Sequence, residues 1–321
     1  MKENGNYISE ISDENAKFCI IALTGKVRAG TSDVCTLLTD PDFPDTTAPP
    51  ADTSTYEMSE IREFNIIQQY LQHNWRPFIH LSITDIIVSF ILESNVERMK
   101  EEIVDTEKMG RSSIFKVISE AAKNIRKEEA IQKAIKVSNT LQNKRNWRRE
   151  ERIEEDKIKE VCEQNFSLWG EDIFNTWEKI RNSIYNEKEI SLDNFIFCFG
   201  YLPILRIEIR SILGKNNYTI AFQKYGNNIR AYGKAIVDTI DCDIDYKKVF
   251  LLPERANKFI KLLRYYNQIT EDDKASKMTG TKNPVFVVIN NFKNIFEAYY
   301  FKKRYSAFYL MAVSCDENMR R

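Results

Sequence analysis

The sequence predicts an α/β fold, a mostly parallel sheet flanked by helices and carrying a large helical insertion. Three observations lead there. The runs Phe18-Cys-Ile-Ile-Ala-Leu-Thr24 and Pro284-Val-Phe-Val-Val-Ile289 are continuously apolar, as strands covered on both faces are. Helical patterns separate the strand-like runs, the mark of crossover connections. From Arg111 to about Glu187 the chain reads as helix throughout.

Each element follows in order. The first strand ends at Gly25, a loop runs to Gly30, and Ser32-Asp33 opens a helix through Val34, Leu37 and Leu38. Pro41, Pro44, Pro49 and Pro50, set among Asp and Thr, mark 39–56 as a surface loop. A helix is expected over 57–72 and a strand over 76–82. Ser82-Ile-Thr-Asp85 resembles a capping box that starts a helix over 85–100. Residues 144–160 carry dense charge of both signs, the pattern of a solvated helix face. In the second half, strands are expected at 194–199, 218–222, 284–289 and 307–313. Helices are expected at 203–213, 226–239, 253–268 and 294–303.

Composition removes several function classes. Of 321 residues, 43% are hydrophobic and 12% aromatic, which supports a sizeable core rather than disorder. Lys plus Arg and Asp plus Glu both number 47, so the chain lacks the basic excess of a general nucleic-acid binder. No apolar run approaches the roughly 18–20 residues that span a bilayer, and no membrane partner is expected. The polar start MKENGNYISEISDEN is not a secretory signal. Cys19, Cys35, Cys162, Cys198, Cys242 and Cys315 stand singly, which argues for a reduced, cytoplasmic protein. His73 and His80 are the only histidines; neither has a His or Cys at metal-ligand spacing, and no G-x-S-x-G is present. No zinc is expected.

The strongest chemical signal is Gly25-Lys-Val-Arg-Ala-Gly30-Thr31-Ser32, between a buried strand and a helix. It has the glycines and the serine of a Walker A loop in register, with Thr31 at the lysine position. Its amides can wrap an anion at a helix N-terminus, and Ser32 can reach a Mg²⁺ ion brought with a nucleoside triphosphate. The lost ammonium is the group that stabilises charge on a transferred phosphoryl. Lys26 or Arg28 could substitute only with a distorted loop, being on the far side of Gly30.

Two further blocks are Phe222-Gln-Lys-Tyr-Gly-Asn-Asn-Ile-Arg-Ala-Tyr-Gly233 and Val285-Phe-Val-Val-Ile-Asn-Asn-Phe-Lys-Asn-Ile-Phe-Glu297, the latter closed by Arg304-Tyr-Ser-Ala-Phe-Tyr-Leu-Met-Ala-Val313. With the loop, they resemble the N-terminal P-loop kinase-like domain of bacterial anti-phage deoxycytidylate deaminases, a domain similar to nucleoside or nucleotide monophosphate kinases. The resemblance implies a P-loop NTPase fold over 1–321: a P-loop half at 17–110, a helical insertion at 111–187 and a second α/β half at 188–321. Family Asp, Arg and Pro positions fall on Asn290, Lys293 and Ile295, while Asn294 and Glu297 match. The family's deaminase signature, H-x-E followed by P-C-x-x-C, is absent from this chain, which is expected to be the portion that precedes such a domain.

The implied function is a degenerate nucleotide-binding module, the sensing or regulatory half of a nucleotide deaminase in antiviral defence. Its nucleotide site would use Gly25, Lys26, Arg28, Gly30, Thr31, Ser32, Gln223 and Arg230. Expected partners are a nucleotide, a fused deaminase domain, further copies of the chain, and a regulatory RNA or protein. Two alternatives stand beside it. One is an active deoxynucleoside or nucleotide monophosphate kinase. The other is a non-catalytic scaffold binding RNA or protein, with Lys144, Arg145, Arg148 and Arg149 as RNA contacts. Arg255 is weighed as a phosphate or base contact against a surface ion pair, Asp85 as a substrate contact against a helix cap, and His80 as a core histidine.

Overall fold

A computed structural model of the chain describes residues 18–26, 29–43, 58–141, 151–186, 190–237, 246–272 and 284–315. Arg28, Lys144, Arg145, Arg148, Arg149 and most of the expected 39–56 loop lie outside them.

The expected α/β architecture is present. Four strands, β1 (Phe18–Gly25), β2 (Ile79–Ser82), β5 (Val285–Asn290) and β6 (Phe308–Val313), form an all-parallel sheet in the order β2-β5-β1-β6. β1 is central: Phe18 pairs with Val285 on one side, and Ile20 with Phe308 on the other. β2 lies outside β5, with Ser82 opposite Asn290. A separate antiparallel hairpin joins β3 (Ile103–Thr106) to β4 (Gly110–Ser113).

The two faces of the sheet are covered unequally. Helix α1 (Thr31–Leu38) packs over Leu23 and Val288 through buried Cys35, a small cluster edged by Ile21, Val34, Leu38, Phe78 and Val313. The opposite face, with Ile20, Ala22, Ile79, Leu81, Val287 and Ile289, merges into the main core. That core is helical: α3 (Ile83–Leu92), α5 (Ile114–Asn124), α6 (Lys127–Leu141), α7 (Glu151–Glu171), α8 (Ile173–Asn186), α9 (Leu192–Ile196), α10 (Leu202–Leu213), α11 (Lys215–Tyr232) and α12 (Leu251–Asp272). Helix α13 (Ile295–Arg304) crosses from β5 to β6 on this face, its Phe301 packed on Phe292 and Phe308. Two helices complete the chain order: α2 (Met58–Asn74), whose Ile66, Ile67 and Tyr70 are exposed, and the short α4 (Val96–Glu101).

Several expectations are corrected. Residues 194–199 form α9 and the start of a π-helical turn (Phe197–Tyr201), not a strand. They are buried on every side, so the run carries no periodicity that separates strand from buried helix. Residues 218–222 lie inside α11, whose Tyr218, Phe222, Tyr225 and Ile229 share one buried face at helical spacing. The helix expected over 226–239 is the end of α11, stopped by Gly233 at φ 77°. The helix expected over 85–100 divides at the capping residue Asn95, and the helical reading from Arg111 begins only after β4. Among the described residues, the parallel strands of the second half therefore lie beyond residue 284.

Gly200, in the π turn, packs closely against α6. A Cβ there would stand 2.7 Å from the Ala130 carbonyl oxygen and 3.1 Å from Ala134 Cβ.

Candidate functional site

Ligands of open α/β sheets bind beyond the carboxyl ends of strands, where connections from neighbouring strands leave to opposite faces. In this sheet that place lies between β1 and β5. β1 exits to α1 on the thin face, and β5 exits through Asn291 and Phe292 to α13 on the other. Asn291 takes a left-handed φ of 61°, and the Phe292 amide donates to the Leu23 carbonyl at 3.1 Å.

The Gly25–Ser32 turn occupies this point. Gly25 closes β1 with no room for a side chain: a Cβ would stand 2.6 Å from the Val313 carbonyl oxygen and 3.0 Å from Thr31 Cγ2. The Ala29 amide donates back to the Lys26 carbonyl at 3.1 Å. Gly30 is the N-cap of α1 at φ 88°, a conformation that costs non-glycine residues, and no side chain caps the helix there. The Asp33 amide donates to the Gly30 carbonyl at 3.0 Å, which leaves the Thr31 and Ser32 amides to solvent or to an anion. Lys26 and Ser32 are exposed and Thr31 is partly buried, while Asp33 adds an exposed carboxylate to the same turn. A bound anion would meet that carboxylate with no lysine on the loop helix to offset it.

A second group of polar side chains gathers at the carboxyl end of β2, which β5 separates from β1. Ser82 caps α3 by accepting from the Thr84 amide, so Asp85 is not the cap. Instead buried Asp85 accepts from Arg206 Nε of α10 at 2.5 Å. His80 Nε2 and Tyr218 Oη are enclosed nearby without a hydrogen bond of normal geometry. Lys133 of α6 lies within electrostatic reach of Asp85, Arg206, His80 and Cys35. Burial pushes the Cys35 thiol up to about 11, which leaves it an unreactive neutral group.

No family model matches this chain, and neither a curated protein nor a solved structure is significantly similar to it. The site therefore has to be read from its own chemistry.

The remaining sequence candidates are placed elsewhere. Gln223 is exposed on α11 rather than at a strand end. Arg230 donates from Nε and Nη2 to Glu297 Oε1 at 2.9 and 2.7 Å, so its guanidinium is already paired. Glu297 itself is fully buried, with Oε2 unpartnered. Arg255 is buried in a network with Ser89, Glu93 and Tyr185. Lys133, Arg206 and Asn291 were not singled out by the sequence; only the left-handed turn at Asn291 has a local signal, the Asn-Asn pair after an apolar strand.

His80 gives the region a pH signature. Burial holds its imidazole below the ordinary pKa, with Asp85 and Asn290 pulling back less strongly. The unfolded chain then takes up a proton below about pH 6.5 that the folded chain refuses. Stability should fall as pH drops through that value and level off below the folded-state pKa. Denaturant midpoints at neutral and mildly acidic pH should differ less in His80→Asn than in the parent. An unchanged pH difference would assign the effect to other groups.

Among the described residues no cluster of three His, Cys, Asp or Glu side chains could hold a metal ion, and no helix is long and apolar enough to cross a membrane.

Proposed function

We propose that the chain is a P-loop, kinase-like module that binds the phosphates of a nucleotide at the Gly25–Ser32 turn, with weak or absent phosphotransfer. The observation that carries this reading is the location of the turn, where connections from adjacent parallel strands part and an uncapped helix N-terminus faces outward. The path excludes a side chain at Gly25 and strains one at Gly30.

Mg²⁺ would arrive with the nucleotide. The exposed Ser32 hydroxyl suits a hard cation that keeps most of its water and phosphate ligands. Asn290, in place of a carboxylate at the end of β5, offers only a neutral oxygen. Both features favour binding over turnover. On the resemblance to anti-phage deaminases, such a module would be the nucleotide-sensing half of a deaminating protein; that role rests on the sequence blocks around Phe222–Gly233 and Val285–Val313.

Calorimetric titration with ATP, GTP and deoxynucleotides in the presence of Mg²⁺ tests the reading. Submillimolar binding of at least one nucleotide is expected. Gly30→Asp, which strains the cap and adds a negative charge, should weaken it by about tenfold or more, roughly 1.4 kcal/mol. No binding below millimolar across the set would overturn the reading.

A further inference from the structure

We propose that β6 is the edge through which two copies of this chain associate, pairing β6 with β6 antiparallel about a twofold axis and joining two four-stranded sheets into one. The inference does not depend on the nucleotide reading.

Among the described residues, β6 has β1 on one side and no strand on the other. The Ile20 amide donates to the Ala307 carbonyl at 2.9 Å, so the odd-numbered residues of β6 turn their N–H and C=O groups towards β1. By alternation, those of Phe308, Leu310 and Ala312 turn outward. The side chains are uncovered as well. Tyr309 and Met311 stand opposite Ile21 and Leu23 on the α1 face, 53% and 44% exposed; Leu310, opposite Ala22 on the other face, is 50% exposed. A parallel strand is ordinarily buried on both faces. β6 also holds no charge and no proline, and its pairing with β1 runs unbroken, so the usual devices that blunt an edge are missing.

What the edge lacks decides its occupant. An outward row of backbone groups is met by another strand, and apolar side chains on both faces are met by a strand equally free of charge. β6 is itself such a strand. The other edge of the sheet, β2, is closed: Ile79 and Leu81 are buried in the helical core of their own chain. Pairing β6 to a copy's β2 would moreover grow without closing, whereas β6 to β6 closes at two. The two strands of a parallel pair bond inequivalently, so a twofold pair is antiparallel, with its axis normal to the sheet. Each face then stays with its like. Leu310 meets the partner's Leu310 as a hydrogen-bonded pair at the axis, and Tyr309 meets the partner's Met311. The same orientation sends the basic ends of the two α13 helices, Lys302, Lys303 and Arg304, to opposite ends of the joined strands.

Analytical ultracentrifugation of the intact chain compares the parent with Leu310→Pro and Leu310→Lys, after circular dichroism and a denaturant midpoint establish folding. Proline removes an N–H that faces outward, leaving the ladder to β1 in place. Lysine sets two like charges against each other at the axis. The parent should sediment as a dimer, and each variant should dimerise about tenfold or more weakly. The register has its own readout. Oxidation of a mixture of Tyr309→Cys and Met311→Cys chains should link the two introduced thiols, a close non-hydrogen-bonded pair, as peptide mapping would show. A parent still monomeric at about 100 μM, a hundredfold above a micromolar Kd, would overturn the inference. So would a dimer that both variants retain, or assembly that continues past two copies. A dimeric mixture without the link would overturn the register.

Discussion

Replacing Arg255 by alanine is expected to cost about 3–5 kcal/mol of folding stability, the range for breaking a buried ion pair from one side. Arg255 is 4% exposed on α12. Its Nη2 donates to Glu93 Oε2 at 2.9 Å, Nη1 to Ser89 Oγ at 3.2 Å and Nε to Tyr185 Oη at 2.9 Å. Its guanidinium also lies over the Phe90 ring, 3.7 Å from the centroid. One side chain therefore clamps α3, α8 and α12. Alanine would leave Glu93 short of its main cation, with Arg181 at 3.7 Å as the remaining one. Lysine keeps the charge but not the fork, and should recover only part of the loss. Equilibrium unfolding in urea measures both variants. A loss under about 1 kcal/mol for Arg255→Ala, the scale of an exposed pair, would show the network to be dispensable.

Gly200→Val is the second large effect, expected at about 1–3 kcal/mol from overpacking. The Ala130 carbonyl that a side chain would strike at 2.7 Å is helix backbone and cannot turn aside. Relief requires α6 to move away from the π turn. Gly200→Ala should show the same sign with a smaller loss, since it adds the Cβ alone. The denaturant midpoints of the two variants, read against the parent, check the order. Equal stability of all three would mean that α6 yields at no cost.

How much of this was legible in the sequence depends on the range over which each feature is encoded. The four parallel strands are local: short, mainly apolar runs ending at Gly25, Ser82, Asn290 and Val313, with His80 the one ionisable side chain in β2. The glycine-bounded turn is local too, because its geometry needs only Gly25 and Gly30 at the right spacing. The aromatic stretch Phe195–Tyr201 misleads for a physical reason. A helix buried all round and a strand buried on both faces are each continuously apolar, and only tertiary context separates them. The 218–222 run was different: Tyr218, Phe222, Tyr225 and Ile229 carried the helical period, visible once the window extends past residue 222. Arg206 and Lys133 were beyond reach. Each lies in ordinary helical sequence, and only packing brings it to Asp85, which precedes Lys133 by about a dozen helical turns of chain.

The pairing of β1 has a consequence for how the chain is made. Its neighbours in the sheet are β5 and β6, so Phe18 must wait for Val285, and Ile20 for Phe308, before either gains a hydrogen-bonded partner. During synthesis the helices between them can assemble on local contacts while the opening strand stays unmated and sticky. Such distant closure is slow, and it leaves an aggregation-prone segment in need of protection until β5 and β6 have been made. A fragment truncated before Val285 would keep helices and lose the sheet, and with it the framework on which the glycine turn is hung.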